Sequence, residues 1–279
     1  MMIDRILHGH SGCRIELKDD SKGKVFVRKT SASVEYNSRL LLQAKKQKLF
    51  LDLNFKVPEI LAEGTTSSGL NYFDMQYLPG LKLSELISNS LSSKILTEIE
   101  YLLYSISALT NEVIEPVSIK QKLDYLSLAL REKPLASEAI SYLQKYRWES
   151  VKIQNCHGDL TLENLIVTKD GLHMIDFQDV SIESFSQDIS KLLFDLKFGW
   201  SNRYENNKMS LLNLHENRRK ILRITERVSL NQKRGNFNEE VEAFEILNVL
   251  RVLPYVRDIE SDKIVGEALI SLFARLELK

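Results

Sequence analysis

The hydrophobic period of the chain changes at one place. Up to Pro79-Gly80 apolar residues mostly alternate, the two-residue period of half-buried strands. Beyond it they recur three and four apart, as on one face of a helix. Residues 13–18 and 24–30 flank a polar cluster, Asp19-Asp20-Ser21-Lys22-Gly23, and predict a hairpin. Residues 33–50 predict a helix that Ser33 can cap, with Leu40, Leu41, Ala44, Lys48 and Leu49 as a partial apolar stripe. Strands are expected from 57 to 61 and from 70 to 78, the second after a Gly64 to Gly69 turn region. After the break, helices are expected over 83–89, 92–109, 118–133 and 137–148. A strand over 151–155 and a hairpin of 165–168 with 172–176 around Lys169-Asp170-Gly171 interrupt them. From 186 onward the pattern is helical again. The expected class is α+β, with a small β-rich part at 1–79, a larger helical part at 80–279, and Pro79-Gly80 as a candidate hinge.

Composition narrows the function classes. The 279 residues carry 38 basic and 38 acidic side chains, so the formal charge is zero. That argues against a nucleic-acid coater, whose affinity comes mostly from neutralising phosphates. Cys13 and Cys156 stand far apart and form neither a metal-ligand spacing nor a disulfide framework. The first residues, Met1-Met2-Ile3-Asp4-Arg5, lack the basic run of an export signal, and no apolar stretch approaches the roughly 20 residues of a membrane span. A cytoplasmic protein without membrane or nucleic-acid partners is expected, and the sequence leaves its oligomeric state open.

The chemistry concentrates in residues 157–176, HGDLTLENLIVTKDGLHMID. Asp159 and Asn164 are five apart, and Asp176 follows twelve later across the expected hairpin. A hairpin joins its two ends, so three oxygen-bearing side chains are expected to converge. Phosphoryl transfer from a magnesium nucleotide needs such a set: a carboxylate to take a hydroxyl proton, and an amide and a second carboxylate to hold hard cations.

This pattern resembles the catalytic segment of the protein-kinase-like phosphotransferases, closest to the aminoglycoside phosphotransferase and choline kinase branch. That branch has His-Gly-Asp where protein kinases have His-Arg-Asp, and Ile-Asp-Phe where they have Asp-Phe-Gly. Here the residues are His157-Gly158-Asp159 and Ile175-Asp176-Phe177. The resemblance is most specific between 155 and 196 and nearly silent after 200. It implies a bilobal fold, a nucleotide-binding lobe at 1–79 and a catalytic and substrate-binding lobe at 80–279, with ATP and Mg2+ as cofactors. It implies Asp159 as the catalytic base, Asn164 and Asp176 as metal ligands, His157 as a loop-orienting residue, and Asp188 as an acceptor for backbone amides of the catalytic loop.

On the nucleotide side, Gly9, Ser11 and Gly12 look like the family's phosphate loop, which presents backbone N–H groups. The next strand should supply a phosphate cation, and Arg28 and Lys29 are adjacent, hence on opposite sheet faces. One register gives Arg28 with Phe26 over the adenine; the other gives Lys29 with Val27. The first is preferred. The family's helix glutamate that pairs with this cation has no clear counterpart. Glu35 lies early, and the expected region reads Gln43-Ala44-Lys45-Lys46-Gln47, so Glu35, a glutamine or the phosphate alone must serve. Gln76 and Leu78 fall in the inter-lobe linker whose backbone reads the adenine edge.

The acceptor is expected to be a small hydroxylated metabolite or saccharide precursor, with aminoglycosides or choline and ethanolamine as alternatives. Candidate acceptor residues are Trp200, Arg203, Tyr204, Arg251, Tyr255 and Arg257, and the acids Glu239, Glu240, Glu242 and Glu245 read as a solvated helix face. Only ten residues separate Phe177 from Asp188, too few for a peptide platform, which disfavours a protein kinase. A nucleotide-binding pseudokinase is the rival of another class, motivated by the missing helix glutamate.

Overall fold

A computed structural model describes residues 5–7, 12–20, 22–89, 91–110, 119–205 and 208–276. The chain forms two compact units: residues 1–81 with 164–179, and residues 82–163 with 180–279.

The first unit is built on an antiparallel sheet. Its strands are β1 (Arg5–Leu7), β2 (Arg14–Asp19), β3 (Val25–Thr30), β4 (Ile60–Thr65) and β5 (Asn71–Gln76), in the order β1-β2-β3-β5-β4. The β2–β3 hairpin forms where the two alternating segments predict it, and Gly23 takes the positive φ of 78° that its turn requires. Helix α1 (Asn37–Asp52) buries Leu40 and Ala44 with Cys13 and Phe73. It starts four residues later than expected from Ser33. The Ser33 hydroxyl accepts the Tyr36 N–H at 3.3 Å in the preceding turn instead of capping the helix. Likewise the strand expected from 57 begins only at Ile60, after Pro58, which has no N–H for a ladder.

A two-residue strand, β6 (Leu81–Lys82), precedes the helices, and the later hairpin is β7 (Leu165–Thr168) with β8 (Gly171–Met174). Thr168 pairs with Gly171, whose φ of 112° only glycine adopts easily. The hairpin packs with the first unit. Met174 N–H donates to Lys56 O at 3.0 Å, and Phe177 lies 4.9 Å from Phe50 between ring centres.

The second unit is helical: α2 (Leu83–Leu86), α3 (Ser93–Ser107), α4 (Ile119–Ala129), α5 (Pro134–Lys145), α6 (Phe185–Phe198), α7 (Lys208–Leu230), α8 (Phe237–Val252) and α9 (Ile259–Leu276). Ser92 caps α3 by accepting from Ile95 N–H. The helix expected over 83–89 is a single turn. The strand expected over 151–155 does not form. Gln154 N–H bonds Glu183 O at 2.9 Å, an isolated contact with no ladder, and its side chain closes on the Ile106 and Ser107 carbonyls. Helix α8 is buried all round between Glu240 and Leu250, so it is the central helix, packed by Leu126, Leu143, Trp148, Val265 and Leu272. Glu240, Glu242 and Glu245 are therefore not a solvated face, whereas Glu239 is exposed as expected. Glu240 binds Arg234 and Ser186, and Glu245 binds Lys197 and Arg275. Among the described residues no helix is long and apolar enough to cross a membrane.

Candidate active site

In the helical unit the loop 157–162 is held by one face of α6. Asp188, Lys191 and Asp195 stand at i, i+3 and i+7, so all three side chains meet the loop. Asp188 is fully buried and accepts His157 N–H and Gly158 N–H at 2.7 Å each. Gly158 has φ 89°, a conformation costly for any side-chain-bearing residue. His157 is also fully buried, and its Nδ1 accepts Asp159 N–H at 3.2 Å, which sets the turn that presents Asp159. Asp195 accepts Leu162 N–H at 2.8 Å and the Ser201 hydroxyl at 2.5 Å. Burial pushes the Asp195 carboxyl up despite these donors.

Asp159 is part-exposed, and its carboxylate lies 3.1 Å from the Lys191 ammonium. Burial alone would raise its pKa. The Lys191 charge and hydrogen bond, with His157 and Arg251, outweigh that and hold it below the usual carboxylate value. A carboxylate kept ionised in this way is ready to accept a proton. Lys191 and Asp195 are site residues that the sequence reading missed. The available signal was their helical spacing from Asp188 in an otherwise apolar stretch.

In the sheet unit the β7–β8 hairpin joins the segments carrying Asn164 and Asp176: Ile175 N–H donates to Asn164 O at 3.0 Å. Asn164 is buried, and Asp176 is one of two described non-glycine residues with positive φ, at 59°. Such strain persists where surrounding structure enforces it. Lys29, 2% exposed, donates to Asp176 Oδ1 at 2.5 Å and to Gln43 Oε1 at 2.8 Å. Burial opposes the Lys29 charge, but Asp176 more than restores it, and the ammonium titrates above its ordinary value.

The preference for Arg28 as the inward cation is therefore corrected. Arg28 sits opposite Asp74 in the β3–β5 register, donates to both its carboxylate oxygens at 2.6 and 2.7 Å, and stacks 3.9 Å above the Tyr72 ring. Phe26 shares that face, 6.0 Å from the guanidinium, while Val27 shares the buried face of Lys29. The partner from α1 is Gln43. Glu35 is exposed in the turn before the helix and bonds Ser33. Gly9 and Ser11 lie outside the described residues; Gly12 has φ 74°. Gln76 is exposed and its N–H donates to Glu59 O, while Leu78 is buried.

Trp200, Tyr204 and Tyr255, the aromatics that could cage a choline-type ammonium, do not form an open cage. Arg203 places its own guanidinium 4.4 Å from the Trp200 ring and 4.7 Å from Tyr204, where an external cation would sit. Tyr255 is exposed, 3.4 Å from the Tyr125 hydroxyl. A polar hollow of about 440 Å³ lies beside these residues, lined among others by Ser84, Glu85, Asn89, Ser201 and Glu205.

A small antiparallel-sheet unit and a larger helical one are the architecture of the protein-kinase-like phosphotransferase fold. Residues 116–219 match the model of the phosphotransferase enzyme family. A search of curated proteins returns no match to the sequence. Among solved structures, the chain is similar to an aminoglycoside-3'-phosphotransferase of type VIII (17% identity, 88% of this chain and 93% of that one, TM-score 0.60). It is also similar to the amicoumacin kinase hAmiN, solved with AMP-PNP and Ca2+ (11% identity, 98% and 88%, TM-score 0.66). A third is an ethanolamine kinase of Plasmodium vivax (16% identity, 97% and 82%, TM-score 0.59). At such identities the structural likeness establishes the fold. Together with the family match it supports an ATP-dependent phosphotransferase acting on hydroxyl groups.

Proposed function

We propose that the chain is a small-molecule kinase that transfers the γ-phosphate of ATP to a hydroxyl of a metabolite or saccharide precursor. The observation that carries this reading is the bond between Lys29 and Asp176, 147 residues apart in sequence, which joins a buried cation to the acid that closes the hairpin. The acceptor oxygen attacks the γ-phosphorus, its proton passes to Asp159, and the bond to the bridging oxygen breaks to release ADP. Lys29 neutralises the nucleotide phosphates, and residues 1–79 form the nucleotide-binding lobe, with the phosphate loop at Gly9, Ser11 and Gly12. Gln76 and Leu78 meet the adenine edge with main chain, and residues 80–279 carry the base and the acceptor seat.

Asn164 and Asp176 offer an amide oxygen and a carboxylate, a hard donor set that suits Mg2+ completed by phosphate and water. When bound there, the ion would supply further neutralisation of phosphate charge. The hollow at Ser201 supports a hydroxylated acceptor, because its wall is tied through Asp195 to the loop of Asp159. The filled space between Trp200 and Tyr204 speaks against a choline-type cage.

ATP consumption against a panel of sugars, amino alcohols and aminoglycosides tests the reading. Turnover with a hydroxylated acceptor is expected, lost by roughly 10²–10⁴-fold in Asp159→Asn, with Mg-ATP affinity retained. Nucleotide binding without turnover on any acceptor would favour the pseudokinase.

A further inference from the structure

Lys29, Gln43, Gln178 and Asp176 form a closed ring of side-chain hydrogen bonds. Lys29 donates to Gln43 Oε1 at 2.8 Å and to Asp176 Oδ1 at 2.5 Å. Gln43 Nε2 donates to Gln178 Oε1 at 3.0 Å and to the Tyr36 hydroxyl at 3.1 Å. Gln178 Nε2 donates to Asp176 Oδ1 at 3.2 Å. The polarity runs one way. Lysine only donates and an ionised carboxylate only accepts, so each amide between them has a single orientation. Two further bonds tie α1 to the same segment: Lys46 Nζ donates to Gln178 O at 2.7 Å, and Arg39 pairs with Asp179 at 2.9 Å.

We infer from this ring that Gln43 and Gln178 are positioning residues that make the Lys29 charge available to phosphate only when Asp176 is engaged by a divalent cation. The inference rests on the reading of Lys29 and Asp176 given above. Gln43 contributes no charge, so within the ring Asp176 is the only counterion of Lys29. While the two are paired, the ammonium has little charge to spare. When Asp176 ligates a metal, Lys29 keeps its neutral bond to Gln43, stays in place and carries an uncompensated charge. Metal and nucleotide phosphate then bind with positive coupling, which by linkage is reciprocal. A carboxylate at position 43 would neutralise Lys29 permanently. It would also turn the Gln178 amide, aiming the Gln178 oxygen at Asp176.

The test is calorimetric titration of ATP with and without Mg2+. The ratio of the two dissociation constants should fall about tenfold in Gln43→Glu, the loss of one charge-assisted contact of ~1.5 kcal/mol. Gln43→Ala, which adds no charge, should keep the ratio within about threefold. A nucleotide-free readout accompanies it. Adding Mg2+ alone should shift the Lys29 side-chain NMR signals in the wild type and Gln43→Ala, and hardly move them in Gln43→Glu. An unchanged ratio in a folded Gln43→Glu protein, or an equal fall in Gln43→Ala, overturns the inference. The underlying reading fails separately: if Lys29→Ala binds Mg-ATP as well as the wild type, Lys29 is not the phosphate cation.

Discussion

At the scale of single residues, neighbours on one strand have opposite tasks. Lys29→Ala should raise the ATP KM by about tenfold or more through loss of a charge-assisted contact, whereas Arg28→Ala should leave it nearly unchanged. Arg28→Ala should instead cost about 1–3 kcal/mol in urea unfolding, because Asp74 loses both of its donors. Equal KM effects for the two variants would mean that the β3 faces are misassigned. Asp159 carries a pH signature. Its folded-state pKa lies below the ordinary value, so the pairing stabilises the fold above the ordinary carboxylate range, and that contribution is lost as pH falls through the depressed value. The acid limb of kcat/KM should accordingly lie below the ordinary carboxylate range. Lys191→Met should move it to higher pH, because burial then acts on Asp159 against less opposing charge. An unmoved limb would show that Lys191 does not set the ionisation of Asp159.

Elements carry the next level of constraint. Helix α6 works as a template for the loop 157–162, so Asp188→Ala leaves two buried N–H groups without an acceptor. A loss of about 3 kcal/mol or more in chemical denaturation is expected, with Asp188→Asn less damaging because it keeps one acceptor. Gly80→Ala tests the approach of the linker to the hairpin. A Cβ there would press on the Val167 carbonyl, a backbone atom that cannot rotate away, at an expected cost of about 1–3 kcal/mol in the same assay. What the sequence disclosed follows the range of the forces involved. The β2–β3 and β7–β8 hairpins were legible because alternation and turn residues are local. The pairing of the segments that carry Asn164 and Asp176 was legible because a single short hairpin fixes it. The choice between Arg28 and Lys29 was not, since alternation says that neighbours oppose but not which face α1 covers. That is decided by Asp74 and Gln43, 46 and 14 residues away in the chain. The strand expected over 151–155 failed for a related reason: an apolar run fits a strand, but only a partner chain segment makes a ladder.

For the whole molecule, the informative fact is that the sheet unit is discontinuous, assembled from 1–81 and 164–179. A fragment ending at residue 81 would lack Asp176 and Phe177, leaving the buried Lys29 ammonium with only the neutral Gln43 and uncovering one face of Phe50. Such a fragment should show poorly dispersed amide signals and no cooperative thermal transition, whereas the complete chain should show both a dispersed spectrum and a transition. A well-folded fragment would show that the hairpin is dispensable to the sheet. The same discontinuity bears on the ribosome. After residue 81 is made, roughly 100 more residues must be translated before the hairpin that completes the first unit exists, about 5–20 s at ordinary elongation rates. During that interval the nascent amino-terminal segment cannot reach its final structure. Slow codons placed before residue 164 should accordingly lower the soluble yield more than slow codons placed after 179.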